Sequence, residues 1–398
     1  MTQLACPFCY HRMPARQLWY RCAGRGVPGM PGCRPGRDED RERETGFAGQ
    51  CLPSYPPTRQ IGPAPAQHAC PHCYGQSGIR VCPCCHTPLP STFGAAASPL
   101  IGMAGAKGTG KTVYLTVLAH ELRTNIRRRF DADVRLAGDR QGGAASPRDW
   151  LDQNVDAIYQ GQRLFAQTAP ARNGRREPVV FEWRQEARRL GRPLLRTSHL
   201  SFYDTAGEDL TSQETAHDLA YLSAADALIL LLDPFMLPQA RDRLHLDRVA
   251  LTSEEATIDV LARVTEMLRV SHRVGRTRKI AVPVAVAFVK TDAFFGVLGE
   301  DHPLLRPPPA VPAYDDQAGR QTHEHVRGLL HEYGADDIDT HLRLNYAGFR
   351  YFAVSALGAP PDYASGAVDP GGVRPHRVDE PLVWLLARFG VVPVLGKR

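Results

Sequence analysis

The run Gly105-Ala106-Lys107-Gly108-Thr109-Gly110-Lys111-Thr112 fits G-x-x-x-x-G-K-[ST] at every fixed position. It follows an apolar stretch at 99–104 and opens a helical pattern at 113–129. A strand, a glycine-rich loop and a helix in that order make a cradle for phosphate oxygens. The glycines let consecutive backbone N–H groups turn inward, Lys111 reaches the β- and γ-phosphate oxygens, and the Thr112 hydroxyl is placed to bind Mg²⁺.

Lysine usage marks the same loop. Lysine occurs only at 107, 111, 279, 290 and 397, and the remaining basic residues are arginine. A chain that writes arginine almost everywhere keeps lysine where a compact ammonium is needed rather than a planar fork. Lys107 and Lys111 lie in the loop, and Lys290 lies in a second motif considered below.

At 398 residues the chain has room for two or three domains, and 43% apolar content with 23% charge describes an ordinary core-former. The most apolar segments, 227–232 and 280–289, have strand lengths, so no membrane span is expected. The N-terminus shows no basic-then-apolar signal pattern, so the chain is expected in the cytoplasm. Ten cysteines in that compartment are expected to bind metal rather than to form disulfides.

Cys70-Pro-His-Cys73 and Cys82-Pro-Cys-Cys85 give C-x₂-C-x₈-C-x₂-C. Each turn presents two thiolates to one tetrahedral ion, and the short spacer is expected to fold the second turn onto the first. Upstream, Cys6-Pro-Phe-Cys9 is a third such turn, with partners to come from Cys22, Cys33 and Cys51. Cys22 and Cys33 are the choice, since Cys51 sits among prolines. The expected zinc sites are therefore Cys70, Cys73, Cys82, Cys85 and Cys6, Cys9, Cys22, Cys33. His86 is a substitute ligand, and Cys84 a bystander. A ribbon this small has too little core to fold without metal. The charged 34–44 and proline-rich 53–65 segments read as solvated loop or linker. The net charge of +6 suggests nucleic acid, but zinc-bound thiolates would cancel most of the basic excess before residue 93. Nucleic-acid binding is not expected.

Ser201-Phe-Tyr-Asp204-Thr-Ala-Gly207-Glu208 is an apolar strand ending in D-x-x-G. Asp204 can hold Mg²⁺ through water, and the Gly207 N–H can approach a γ-phosphate. The apolar run at 281–289 leads into Lys290-Thr291-Asp292, and 350–354 leads into Ser355-Ala356-Leu357. In this order, each after a strand, these elements resemble the G1, G3, G4 and G5 motifs of TRAFAC-class P-loop GTPases. Joined to a cysteine-rich front, the chain looks most like bacterial double-GTPase-type proteins of conflict and defence systems. The resemblance implies guanine-nucleotide binding with Asp292 on the base edge, Lys290 packed along the base, and the Ser355-Ala356 backbone at the guanine O6. It also implies GTP hydrolysis to GDP and phosphate, with Thr168 as the switch threonine and Lys111, Thr168, Gly207 and Glu208 as the catalytic set.

Three departures stand against that pattern. Val289 replaces the usual Asn or Thr. Glu208 stands where a water-orienting Gln is usual, and its charge repels the γ-phosphate, so hydrolysis should be slow. The gaps between motifs are long, with insertions near 131–177 and 296–346. The first should hold a helix at 147–165, the second helices near 315–333 and 335–344. His323, His325 and His331 in the second are expected on a solvated face.

The expected architecture is a cysteine-rich region at 1–92 followed at 93–398 by a three-layer α/β domain, GTPase-like, with a mainly parallel sheet and one antiparallel strand from a 179–204 hairpin. The expected function is a GTP-binding switch coupling nucleotide state to a protein partner. The alternative is a non-enzymatic zinc-ribbon adaptor.

Overall fold

The computed structural model describes residues 3–58, 65–106, 108–137, 147–164, 178–189, 192–204, 215–237, 239–240, 243 and 257–396. Lys107, Thr168, Gly207 and Glu208 lie outside the described residues.

A seven-stranded mixed sheet organises residues 100–353. Its strands are β1 (Leu100–Ala104), β2 (Ala132–Ala137), β3 (Val179–Arg189), β4 (Arg192–Asp204), β5 (Ala227–Leu232), β6 (Val284–Phe288) and β7 (Phe349–Ala353). The spatial order is β2-β3-β4-β1-β5-β6-β7. Strands β4, β1, β5, β6 and β7 run parallel, while β3 is antiparallel to both β4 and β2. The central strands are wholly buried and nearly all apolar, as two covered faces require.

The helices are α1 (Lys111–Glu121), α2 (Pro147–Tyr159), α3 (Thr215–Ala224), α4 (Thr257–Ser271), α5 (Asp316–Glu332), α6 (Asp336–Asn345) and α7 (Glu380–Arg388). Successive strand residues point to opposite faces. Ile101, Met103, Ile229, Leu231, Ala285 and Ala287 therefore meet Tyr114 and Leu118 of α1 and Leu382 and Leu385 of α7. Leu228, Leu230, Val284, Val286 and Phe288 meet Tyr221 of α3, Val264 of α4, Leu330 of α5 and Leu342 of α6. The result is three layers with a core on each side of the sheet.

β2 falls inside the stretch read as an insertion. Its period of two was present in Ala132-Asp-Val-Arg-Leu-Ala: Ala132 and Val134 are buried and Arg135 is exposed. The helix expected at 147–165 ends at Tyr159. That expected over 113–129 begins at Lys111 and passes through a π-helical turn at Leu122–Ile126 before Arg127–Arg129.

The front region carries a four-stranded sheet in the order Pro88–Leu89, Ile79–Val81, Trp19–Arg21, Ser54–Tyr55. The charged 34–44 segment is not merely loop. It folds as a short helix, Glu39–Thr45, because Asp38 caps it through the Arg41 N–H at 3.0 Å and Gly46 ends it in the left-handed region at φ 73°. Glu39, Asp40 and Glu42 fall in its first turn, where the helix dipole favours negative charge.

The front is fastened to the α/β layers. The Arg12 guanidinium donates to Ala224 O at 2.7 Å and to Asp226 Oδ1 at 2.9 Å. Asp226 Oδ2 in turn accepts from the Leu100 N–H at 3.0 Å. Tyr10 packs against Tyr221 with ring centroids 5.6 Å apart. The Tyr221 hydroxyl accepts from the Met103 N–H at 2.8 Å. Gly102 makes room for that contact, since a Cβ there would stand 2.4 Å from Leu228 Cδ2 and 2.9 Å from Tyr221 Oη. The strand that enters the 105–112 loop is thus held by residues that the front region itself engages.

Candidate metal centres and the phosphate-type loop

Three C-P-x-C turns share one backbone design. In each, the first cysteine N–H donates to the carbonyl five residues on, and the N–H of the residue after the second cysteine donates back to the first cysteine's carbonyl. The pairs are Cys6 N to His11 O (3.0 Å) with Tyr10 N to Cys6 O (2.9 Å), Cys70 N to Gly75 O (2.9 Å) with Tyr74 N to Cys70 O (2.9 Å), and Cys82 N to Thr87 O (3.1 Å) with His86 N to Cys82 O (3.0 Å). Tyr10, Tyr74 and His86 therefore take positive φ, at 62°, 55° and 51°. The two thiols of each turn are left pointing the same way.

The turns pair differently from the sequence expectation. One cluster is Cys6, Cys9, Cys82 and Cys85, and the other is Cys22, Cys33, Cys70 and Cys73. The cause is strand register. Trp19–Arg21 runs antiparallel to Ile79–Val81, with Trp19 opposite Val81 and Arg21 opposite Ile79. Cys22 therefore lies at the other end of that ladder from Cys82. The spacer between Cys73 and Cys82 is mostly extended, in strands Gln76–Ser77 and Ile79–Val81, and carries the two turns apart instead of folding one onto the other.

The thiol geometry fits a tetrahedral ion. Sulfur separations are 3.7 Å for Cys6–Cys85, 3.6 Å for Cys9–Cys82, 3.5 Å for Cys22–Cys73 and 3.8 Å for Cys33–Cys70. A metal–sulfur bond of about 2.3 Å gives tetrahedral edges of roughly 3.8 Å, whereas a disulfide needs about 2.05 Å. Backbone N–H groups already point at sulfur, from Gly24 to Cys22 at 3.3 Å and from Cys84 to Cys82 at 3.4 Å. Donation from Gly75 is the first reason that the Cys73 thiol is drawn down to about 7. Burial raises the Cys6 thiol instead, a cost that thiolate–metal bonding would offset. Each cluster could hold one zinc ion. His86 joins neither set. Its Nδ1 lies 2.8 Å from Asp38 Oδ1, and its ring stacks on Trp19. Cys84 and Cys51 also stand outside both clusters.

The 105–112 loop sits at the C-terminal end of β1. Gly108 and Gly110 adopt φ of 75° and 85°, a region that side chains disfavour. A Cβ on Gly105 would come within 2.9 Å of Leu231 O and 3.0 Å of Thr109 Oγ1. Lys111 is buried, and its ammonium donates to Gly105 O at 2.8 Å and Ala106 O at 2.9 Å. The Thr109 hydroxyl donates to Ala106 O at 2.9 Å. Thr112 is the second residue of α1. Asp204 ends β4 in backbone register with Met103.

One of the later motifs reaches the same loop through Lys290. Lys290, at φ 52°, donates to Gly108 O at 3.1 Å and to Asp233 Oδ2 at 2.7 Å, and lies 4.8 Å from the Phe235 ring centroid. The Ser355 hydroxyl donates to Asp292 Oδ1 and accepts from the Gly358 N–H at 2.8 Å. Burial raises the Asp292 carboxyl, and the Ser355 hydrogen bond opposes that rise. Ala356 follows, packed against the core. Sequence reasoning missed Asp233. The signal was a lone carboxylate closing the apolar β5 run, Leu231-Leu232-Asp233. It also missed the role of Tyr221 and Asp226 in holding β1. The expected histidine cluster is partly interior, with His323 Nδ1 accepting from the Tyr351 N–H at 3.0 Å.

A three-layer α/β body bearing two Cys₄ clusters is the class of protein that fold and sites define. No family model matches the chain. It is similar to a protein of Mycolicibacterium smegmatis described as "Putative ESX-1 scaffolding and assembly protein SaeC", with 28% identity over 411 aligned positions that cover 97% of this chain and 99% of the relative. That likeness, running end to end, corrects the expected function. The relative is described by scaffolding and assembly, not by nucleotide turnover, and the reading of this chain as a GTP-binding switch, with its GTPase and hydrolase labels, is set aside. Phosphate-type motifs describe a local geometry, and a fold carrying them does not fix a role. Among the described residues no helix is long and apolar enough to cross a membrane.

Proposed function

We propose that this chain is a zinc-stabilised scaffolding protein that brings protein partners together during assembly of a secretion apparatus of the kind its relative is named for. The observation that carries this reading is the full-length likeness to that scaffolding and assembly protein. The two Cys₄ clusters support it, because zinc would give the small front region a fixed shape that its own core cannot supply. Deleting the gene in its own host tests the reading. Components of the secretion apparatus should still be made but should no longer run together on native gels, and the wild-type chain should restore the assembly. Full assembly without the chain would overturn the reading.

Within that role we assign the 105–112 loop to holding a phosphate group as a fixed part of the scaffold. Gly105, Ala106, Gly108, Thr109, Gly110, Lys111 and Thr112 supply the cradle. The supporting observation is the Lys111 ammonium on the carbonyls of Gly105 and Ala106, beside two glycines at positive φ. Tripolyphosphate at about a hundred times its dissociation constant should stabilise the protein by about 2.7 kcal/mol. Lys111→Ala should abolish the accompanying rise in Tm. An equal rise in both proteins would reject the assignment.

A further inference from the structure

The three C-P-x-C turns place the residue after the second cysteine in one posture, yet they leave it in different surroundings. Tyr10 is 6% exposed because it is packed on Tyr221 of α3. Tyr74 occupies the same position in the second turn and is 54% exposed. Beside it runs the loop between Cys22 and Cys33, tied to the same turn by Val27 N–H donating to Cys73 O at 3.2 Å. The two segments touch so closely that a Cβ on Gly75 would lie 1.7 Å from Arg25 O. Val27 and Met30 in this loop are exposed, at 37% and 43%. The Cys22, Cys33, Cys70, Cys73 cluster thus ties together two segments that expose Tyr74, Val27 and Met30.

The two segments that carry these side chains hold charge of one sign. Residues 22–37 contain Arg25, Arg34 and Arg37 and no acidic residue, and residues 67–82 contain Arg80 and no acidic residue. Arg25 and Arg34 are exposed. Cys22, Cys70 and Cys73 are buried and Cys33 is half-buried, while Arg37 is paired with Glu42, so Arg25 and Arg34 are the exposed guanidiniums these segments offer. Exposed aromatic and apolar side chains with exposed arginines on the same segments match the composition of interfaces, where charges at the edge select the partner's sign.

We infer that Tyr74, Val27 and Met30 form a docking surface for an acidic amphipathic helix of a partner protein, engaged as Tyr10 engages α3 within this chain. The inference rests on the scaffold reading and gives its partner a chemistry. The leucine-type face of such a helix would cover Tyr74 and Met30, and its carboxylates would meet Arg25 and Arg34.

Fluorescence anisotropy with the full zinc-loaded chain tests it, using two helical peptides that share one leucine face and carry glutamate or lysine on the other. The glutamate peptide should bind at least about tenfold more tightly than the lysine peptide. Tyr74→Asp combined with Met30→Asp should weaken it by about tenfold or more, with metal content unchanged. Aspartate tolerates the left-handed backbone at 74, so the turn should survive. No binding, equal binding of both peptides, or binding indifferent to the substitutions would overturn the proposal. So would self-association of the wild type that the substitutions abolish, since a second copy would then be the occupant. In cells, assembly that fails on gene deletion but persists in the double variant would remove this surface and leave the scaffold reading standing. Assembly indifferent to deletion would remove that reading instead.

Discussion

Protein carrying Cys9→Ser and Cys82→Ser together is expected to retain about one zinc ion per chain, against about two in the wild type. Cys73→Ser with Cys82→Ser is expected to retain almost none. The first pair belongs to one cluster, and the second pair takes one ligand from each. Plasma emission spectrometry on protein purified without chelator reads the difference. The pairing suggested by sequence spacing predicts the opposite, so the two doubles decide between them. The structural effect should be large, because apparent binding free energies of structural zinc are on the order of 10–16 kcal/mol and are folding free energy where no core precedes the metal. Loss of the Cys6, Cys9, Cys82, Cys85 cluster should also release Tyr10 and Arg12 from Tyr221 and Asp226, which hold β1.

Arg129→Met is the second large effect. Arg129 lies at the end of the π-interrupted helix and donates to Asp379 Oδ2 at 2.9 Å, with further bonds to Val311 O at 2.8 Å and Ala313 O at 3.3 Å. Both side chains of the ion pair are only 16% exposed. Burial raises the Asp379 carboxyl, and Arg129 opposes that rise. Without the guanidinium a buried carboxylate stands uncompensated, at a cost of about 3–5 kcal/mol. The pH dependence has a definite sign. A carboxyl whose pKa is raised by folding binds its proton more tightly in the native state, so the native state loses stability as pH rises through the interval above the unfolded value. The variant should therefore be least stable near neutral pH and recover part of the loss on acidification. Neighbouring Glu380 is raised by burial too, but it keeps its own partner, Arg377 Nε, at 2.8 Å. Urea unfolding of both proteins at pH 5 and pH 7.5 checks the magnitude and the slope. A loss independent of pH would point to packing rather than to the stranded charge.

Much of the α/β body was legible because its signals are local. The apolar runs at β1, β5 and β6 announce buried parallel strands, and the polar-apolar periodicity of 316–332 and 336–345 announces amphipathic helices. What escaped is non-local. Each C-x-x-C turn is written in four residues, but which turn shares an ion with which depends on the antiparallel register of Trp19–Arg21 against Ile79–Val81, which no spacing reveals. The partnership of Lys290 with Asp233 and Gly108 likewise depends on adjacent strand ends meeting in space. The segment at β2 was hidden for another reason: its alternation was mild, and it lay where the distance between two motifs suggested only an insertion. Function was the least legible level. The motifs report how a backbone can surround phosphate, whereas the docking surface proposed here, at Tyr74 with Val27 and Met30, has no local signature.

The measurement that bears most directly on a holding rather than a turnover role is multiple-turnover phosphate release by the zinc-loaded, full-length chain, with GTP and with ATP. The account predicts release that stays at the enzyme-free background and does not change in Lys111→Ala. Saturable release of many phosphates per chain, lost in Lys111→Ala, would contradict it.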